Sequence, residues 1–90
     1  MGESVCAAGD KVFVRTVTLY YVGEVLAVND RWLMLVKASW VADTGRFGVA
    51  MATGTLAEVE CYPADLRVSV NLATVVDLVP WHHELPQQSK

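Results

Sequence analysis

Few residues of this chain have the types and spacing that chemistry needs, and each has a plainer reading. His82, His83 and Glu84 stand in a row and are the side-chain types that ligate zinc. Neighbouring residues of an extended chain point to opposite sides, so consecutive ligands seldom converge on one ion. The run reads as an exposed tail, and no metal site is expected. Glu58 and Glu60 share one face of a strand-like stretch and resemble a catalytic carboxylate pair. Such pairs need a cleft that perturbs their pKa values, and a solvated strand face explains them more simply. Cys61 has no nearby cue for thiolate activation and reads as a core thiol. Cys6 and Cys61 lie far apart, without a CxxC, and two free thiols are expected in a reducing compartment. The run GRFGVAMATG (residues 45–54) has glycines but neither the order nor the lysine of a phosphate-binding loop. Arg46 falls at a helix start, where a cation is mildly unfavourable. An ion pair to Asp43 or to a neighbouring subunit accounts for it, with an anion or nucleic-acid contact as the alternative. No reaction is legible here, so neither enzyme activity nor a cofactor is expected.

The elements that hold these residues are short. Ninety residues make one domain, 1–90, with flexible ends expected at 1–8 and 84–90. Val12, Val14 and Thr16 alternate with Phe13, Arg15 and Val17, the pattern of a strand. A turn near Thr18 and Leu19 leads to YYVGEVLAV, in which Gly23 marks a bend or bulge. Asn29-Asp30-Arg31 makes a tight turn, because Asn and Asp close local hydrogen bonds. From Trp32 to Val41 a strand follows, with Trp32, Met34, Val36, Ala38 and Trp40 on one face and Leu33, Leu35, Lys37 and Ser39 on the other. Both faces are largely apolar, so both are expected to be covered, one by the core and one by an inserted helix or a neighbouring subunit.

That helix is predicted in VADTGRFGVAMATG, residues 41–54. Asp43 or Thr44 would cap it, Phe47, Ala50 and Met51 would form its apolar stripe, and Gly54 would end it in a left-handed conformation. Trp40 is the expected landing surface. Three further short strands complete the chain: LAEVECYP, LRVSV with Leu66, Val68 and Val70 facing in, and VVDLVPW closed by Pro80. The fold class is therefore all-β with one short inserted helix, a small, strongly bent barrel of five or six strands.

Composition limits the partners. Apolar residues make up 53% of the chain, whereas a domain of this size buries only about 60–65% of the surface its unfolded chain exposes. The excess points to self-association. No run approaches the roughly 20 apolar residues of a membrane-spanning helix, and MGESVCAAGD has no secretory pattern, so the cytoplasm is expected. Seven Lys and Arg and a net charge of −3 give no basic patch for duplex binding.

The strand order and turns resemble the Sm-like (LSm) family, whose SH3-like barrels assemble into rings. The likeness spans roughly residues 9 to 80. YYVGEVLAVNDRWLML supplies the mid-strand Gly23, the Asn29-Asp30 turn and the hydrophobic Leu33–Leu35 of the first Sm motif. VSVNLATVVDLV has the strand–turn–strand shape of the second, with Asn71-Leu72 where Arg-Gly is the rule, and Leu33 falls where the family has its RNA-contacting Asn. Small phage-borne or mobile-element proteins with such barrels are similar. The resemblance implies a non-enzymatic cyclic homo-oligomer of roughly five to seven copies. Its edge strands would pair through the stretches holding Leu66, Val68, Val70, Val75, Val76 and Leu78. It also implies that Asn29, Asp30, Arg31 and Asn71 line the pore or face, where single-stranded RNA or DNA would bind. A structural or protein-interaction accessory protein without a nucleic-acid ligand is the alternative.

Overall fold

A computed structural model describes residues 6–90. In chain order it has β1 (Lys11–Thr16), β2 (Tyr20–Val28), β3 (Trp32–Asp43), the helix α1 (Phe47–Thr53), β4 (Glu58–Cys61), β5 (Val68–Asn71) and β6 (Val75–Pro80). A single 3-10 turn, Leu72–Thr74, joins β5 to β6. Every pairing is antiparallel: β1 lies between β2 and β6, and β2 lies between β1 and β3. β3 is long enough for two further partners, β5 along Trp32–Leu35 and β4 along Ser39–Asp43. This is the small all-β barrel with one inserted helix that alternation and turn residues predict.

The bend sits where β2 crosses β3. Their register slips between Val22 and Glu24 and again between Val25 and Ala27. A Cβ on Gly23 would lie 3.1 Å from Cα and Cβ of Ala38, so only a bare backbone lets the strands approach this closely. On the facing strand Lys37 has a φ of 50°, in the left-handed region few side chains adopt. Its N–H turns to the Ala64 carbonyl at 2.8 Å. This bulge changes the phase of β3. Leu33 and Leu35 face the inner core before it, Ala38 does so after it, and Val41 faces the opposite side. The uniform alternation expected from Trp32 to Trp40 is therefore broken at Lys37. Trp40 is moved off the face that receives the helix.

The sheet is buried on both sides. The inner core holds Cys6, Val12, Val14, Val25, Leu33, Leu35, Ala38 and Val70. On the outer face Phe13, Val22, Val41 and Val59 are covered by Ala50 of α1, by Leu56 and by Trp81. Phe13 is fully buried. Its ring stacks on Trp81 with centroids 5.7 Å apart and meets Tyr20 and Phe47 edge-on. Of the expected helical stripe, Ala50 is buried and Met51 half-buried, while Phe47 stays at the rim. Asp43 does not cap the helix. Its Oδ1 accepts from Gly45 N–H at 2.8 Å, and Arg46 is the residue before the first turn, with no side-chain cap. The helix ends as predicted: Gly54 has a φ of 79° and its N–H donates to the Ala50 carbonyl at 2.8 Å.

The C-terminal segment departs from expectation. Its polarity suggests fraying from residue 84, yet it lies across the outer core. Trp81 N–H donates to the Lys11 carbonyl at 2.9 Å, Lys11 Nζ to the His83 carbonyl at 2.6 Å, and His83 Nε2 to the Met51 carbonyl at 2.8 Å. Leu85 packs on the outer core and Lys90 pairs with Val59. Buried Trp81 anchors what the polar residues around it conceal. At the other end, residues 1–5 of the expected flexible segment lie outside the described residues, and Cys6 is in the inner core.

Arg46 makes no ion pair among the described residues; the pairs are Arg15–Asp77 and Lys37–Glu24. Arg15 joins β1 to β6 by donating from Nε to Asp77 Oδ1 at 2.8 Å and from its terminal nitrogen to Oδ2, and it lies over the Phe47 ring, 5.0 Å from the centroid. The hydrogen bonds from Arg15, with its charge, hold the Asp77 carboxyl below the ordinary 3.8. The stability this adds is present above that ordinary value and is lost as pH falls through the lower folded value. Thermal unfolding followed down through the acid range should fall less steeply for Asp77→Asn than for the native chain. Phe13→Ala should lower stability by about 3–5 kcal/mol in urea denaturation and weaken the near-ultraviolet signal of Trp81.

Candidate nucleic-acid interface

Two turns carry the residues assigned to a ligand by resemblance. In the first, between β2 and β3, Asn29 Oδ1 accepts from the N–H groups of Arg31 and Trp32, both at 2.8 Å. Asn29 N–H donates to the Trp32 carbonyl at 3.0 Å, which closes the hairpin. In the second, Asn71 Oδ1 accepts from Ala73 N–H at 2.9 Å, and its carbonyl accepts the Thr74 hydroxyl at 2.7 Å. The turns meet because β3 and β5 pair at their ends, Trp32 opposite Asn71, and Leu72 N–H donates to the Arg31 carbonyl at 2.9 Å. Asn29, Asp30, Arg31 and Asn71 are thus brought to one place.

Between the turns lies a shallow cavity of about 560 Å³ lined by Asp30, Arg31, Trp32, Asn71, Leu72 and Ala73. Asn29 is not in its lining and acts as the brace of the hairpin. Trp32, 42% exposed, is the residue that sequence reasoning left out of the site. Its place at the start of an apolar strand carries no sequence signal of that exposure. Asn29 Oδ1 is filled by two main-chain amides, whereas Asn71, which lines the cavity, keeps its NH₂ donors and one acceptor site on Oδ1 for a ligand. The exposed indole offers a stacking surface, Arg31 a cation and planar donors, and Asp30 an acceptor for exocyclic amino groups.

The stretches expected at a subunit interface divide. Val70 is buried in the inner core, and Val68, Val75 and Leu78 pack against it. Leu66, expected to face in, lies outside β5 and is 45% exposed, and Val76 is 62% exposed. Among the described residues no strand lies on the second side of β5 or of β6, so both keep a free main-chain edge.

No family model, curated protein or solved structure matches this chain.

The other chemical candidates are placed apart. Among the described residues no three His, Cys, Asp or Glu side chains gather as a metal-holding group. His82 is exposed while His83 is bonded to the helix end. Glu58 and Glu60 are exposed on β4. Both cysteines are free thiols; Cys61 Sγ lies 3.3 Å from Ser39 Oγ, and burial, then the charge of Asp10, pushes the Cys6 thiol up. Burial likewise raises the Tyr21 hydroxyl, with Tyr62 adding to the effect. Among the described residues no helix is long and apolar enough to cross a membrane.

Asn29 orients Trp32 through the hairpin. Asn29→Ala removes two acceptor bonds and should cost about 1–2 kcal/mol. Chemical denaturation measures the loss, and a red shift in tryptophan emission would report the freed indole.

Proposed function

We propose that this chain is a non-enzymatic, self-assembling Sm-like barrel that binds single-stranded nucleic acid at the joined 29–32 and 71–73 turns. What carries the reading is the juxtaposition itself: two turns distant in sequence are hydrogen-bonded together and present Trp32 and Arg31 side by side. Stacking on an aromatic tolerates any base, which suits a site with few direct readers. Assembly is supported by the free edges of β5 and β6. If they join head to tail, main-chain hydrogen bonds supply the contact and closure gives a ring. A ring repeats the site, and repetition raises the avidity of a weak one. That matters for a chain of net charge −3, in which Arg31 is, among the described residues, the one cation lining the cavity.

The same single cation beside Asp30 favours a second reading, a protein-interaction module that docks a partner protein through Trp32. The experiment separates them. Light scattering after size exclusion should give a multi-copy species. Fluorescence anisotropy with single-stranded RNA and DNA oligonucleotides should show binding that Arg31→Ala and Trp32→Ala each weaken about tenfold or more, at unchanged assembly mass. Absence of binding by the native chain to either nucleic acid would leave the protein-interaction reading. A monomer at micromolar concentration would remove the ring.

A further inference from the structure

β4 is a four-residue strand whose inner edge lies on β3 and whose outer edge meets the C-terminal segment. Two of its N–H groups point outward. Val59 donates to the Lys90 carbonyl at 2.8 Å and Cys61 to Ser89 Oγ at 2.9 Å, while the Val59 carbonyl accepts from Lys90 N–H at 2.9 Å. The segment is anchored by apolar burial only as far as Leu85 and Pro86; Gln87 to Lys90 are all exposed. Those last residues are held by three hydrogen bonds, each of small net worth. Fixing each backbone residue carries an entropic cost of comparable size. Such a segment opens far more readily than the barrel unfolds.

We propose that residues 86–90 are a guard that keeps the β4 edge from pairing with the β4 edge of a second copy. An uncovered edge is a template for antiparallel addition, and addition about a two-fold axis closes on itself, giving a pair and no further growth. A second brake is built into the strand. Glu58 and Glu60 are exposed, and neither is in an ion pair among the described residues. Where Val59 meets Val59 of a second copy, Glu58 stands opposite Glu60; where Val59 meets Cys61, Glu60 stands opposite Glu60. Like charges directly opposite are destabilising. Lifting both brakes leaves an edge complementary to itself in shape and hydrogen bonding.

The test lifts them separately. Lys90→Pro removes the N–H given to the Val59 carbonyl and resists strand pairing; Glu58→Gln with Glu60→Gln removes the repulsion. Hydrogen exchange in Lys90→Pro should quicken about tenfold at the Val59 and Cys61 amides, with no change at Tyr62, whose N–H donates to the Ala38 carbonyl within the sheet. Light scattering should show the triple variant heavier than the native species: doubled where that species is a single copy, and linked further where it is a ring, which carries one β4 edge per copy. The glutamine pair alone should keep the native mass, and Lys90→Pro alone should gain mass only in high salt. A chain ending at Pro86 with both glutamines repeats the measurement without a proline. The proposal is overturned if these variants free the Val59 amide and the mass stays native. It is equally overturned if Val59 exchanges as slowly as Tyr62 with and without the guard.

Discussion

The Trp81 ring lies on the Phe13 ring with centroids 5.7 Å apart, and the outer half of the molecule is organised around that contact. Phe13 belongs to β1, between β2 and β6, and points away from the barrel interior. A barrel alone would leave it in water together with Val22, Val41 and Val59. The inserted helix supplies Ala50 to cover them, and the C-terminal segment supplies Trp81 and Leu85. Neither cover is stable by itself: the helix has only seven residues, below the length at which an isolated helix holds in water. Each is held by the face it covers and by the other. His83 Nε2 donates to the Met51 carbonyl at the helix end, and Gly54 has no room for a Cβ because His83 lies 2.7 Å from where it would be.

This second core changes the meaning of the composition. An apolar share of 53% looks like more than one small core can hide, and on that premise a partner is required. The sheet instead uses both faces, so much of the excess is covered within the chain. The proposed self-association then rests on the strand edges rather than on surplus apolar surface.

The barrel was legible because its signals are local. Alternation in residues 12–17, the Asn29-Asp30 turn, Gly23 at the bend and Gly54 at the helix end each act within a few residues. What was not legible depends on distant contacts. The left-handed Lys37 has no sequence mark, since lysine has no preference for that conformation, yet it swaps the faces of β3 and sends the helix to Phe13 and Val41 instead of Trp40. The C-terminal segment reads as polar because one tryptophan and one leucine carry its anchorage. At the candidate site the two turns could be named from the sequence, whereas the exposure of Trp32 could not. A tryptophan in an apolar strand has the core as its default place, and only the pairing of β3 with β5 shows that this one stands at the rim.

The edges of the sheet differ in a way that bears on assembly. β4 carries two exposed glutamates and a segment that satisfies its outward N–H groups. β5 and β6 have no such cover among the described residues. The one acidic residue of β6, Asp77, is tied to Arg15 on β1 rather than left to repel a neighbour. Exposed strand edges favour aggregation unless something blocks or uses them. If association were simply to be avoided, the devices seen at β4 would be needed equally at β5 and β6. Their placement on one edge alone favours a chain in which two margins are kept free for pairing and the third is kept out of it. It also places the proposed pairing margins next to the turn that holds Asn71, so assembly through them would bring neighbouring copies of the Trp32 site close together.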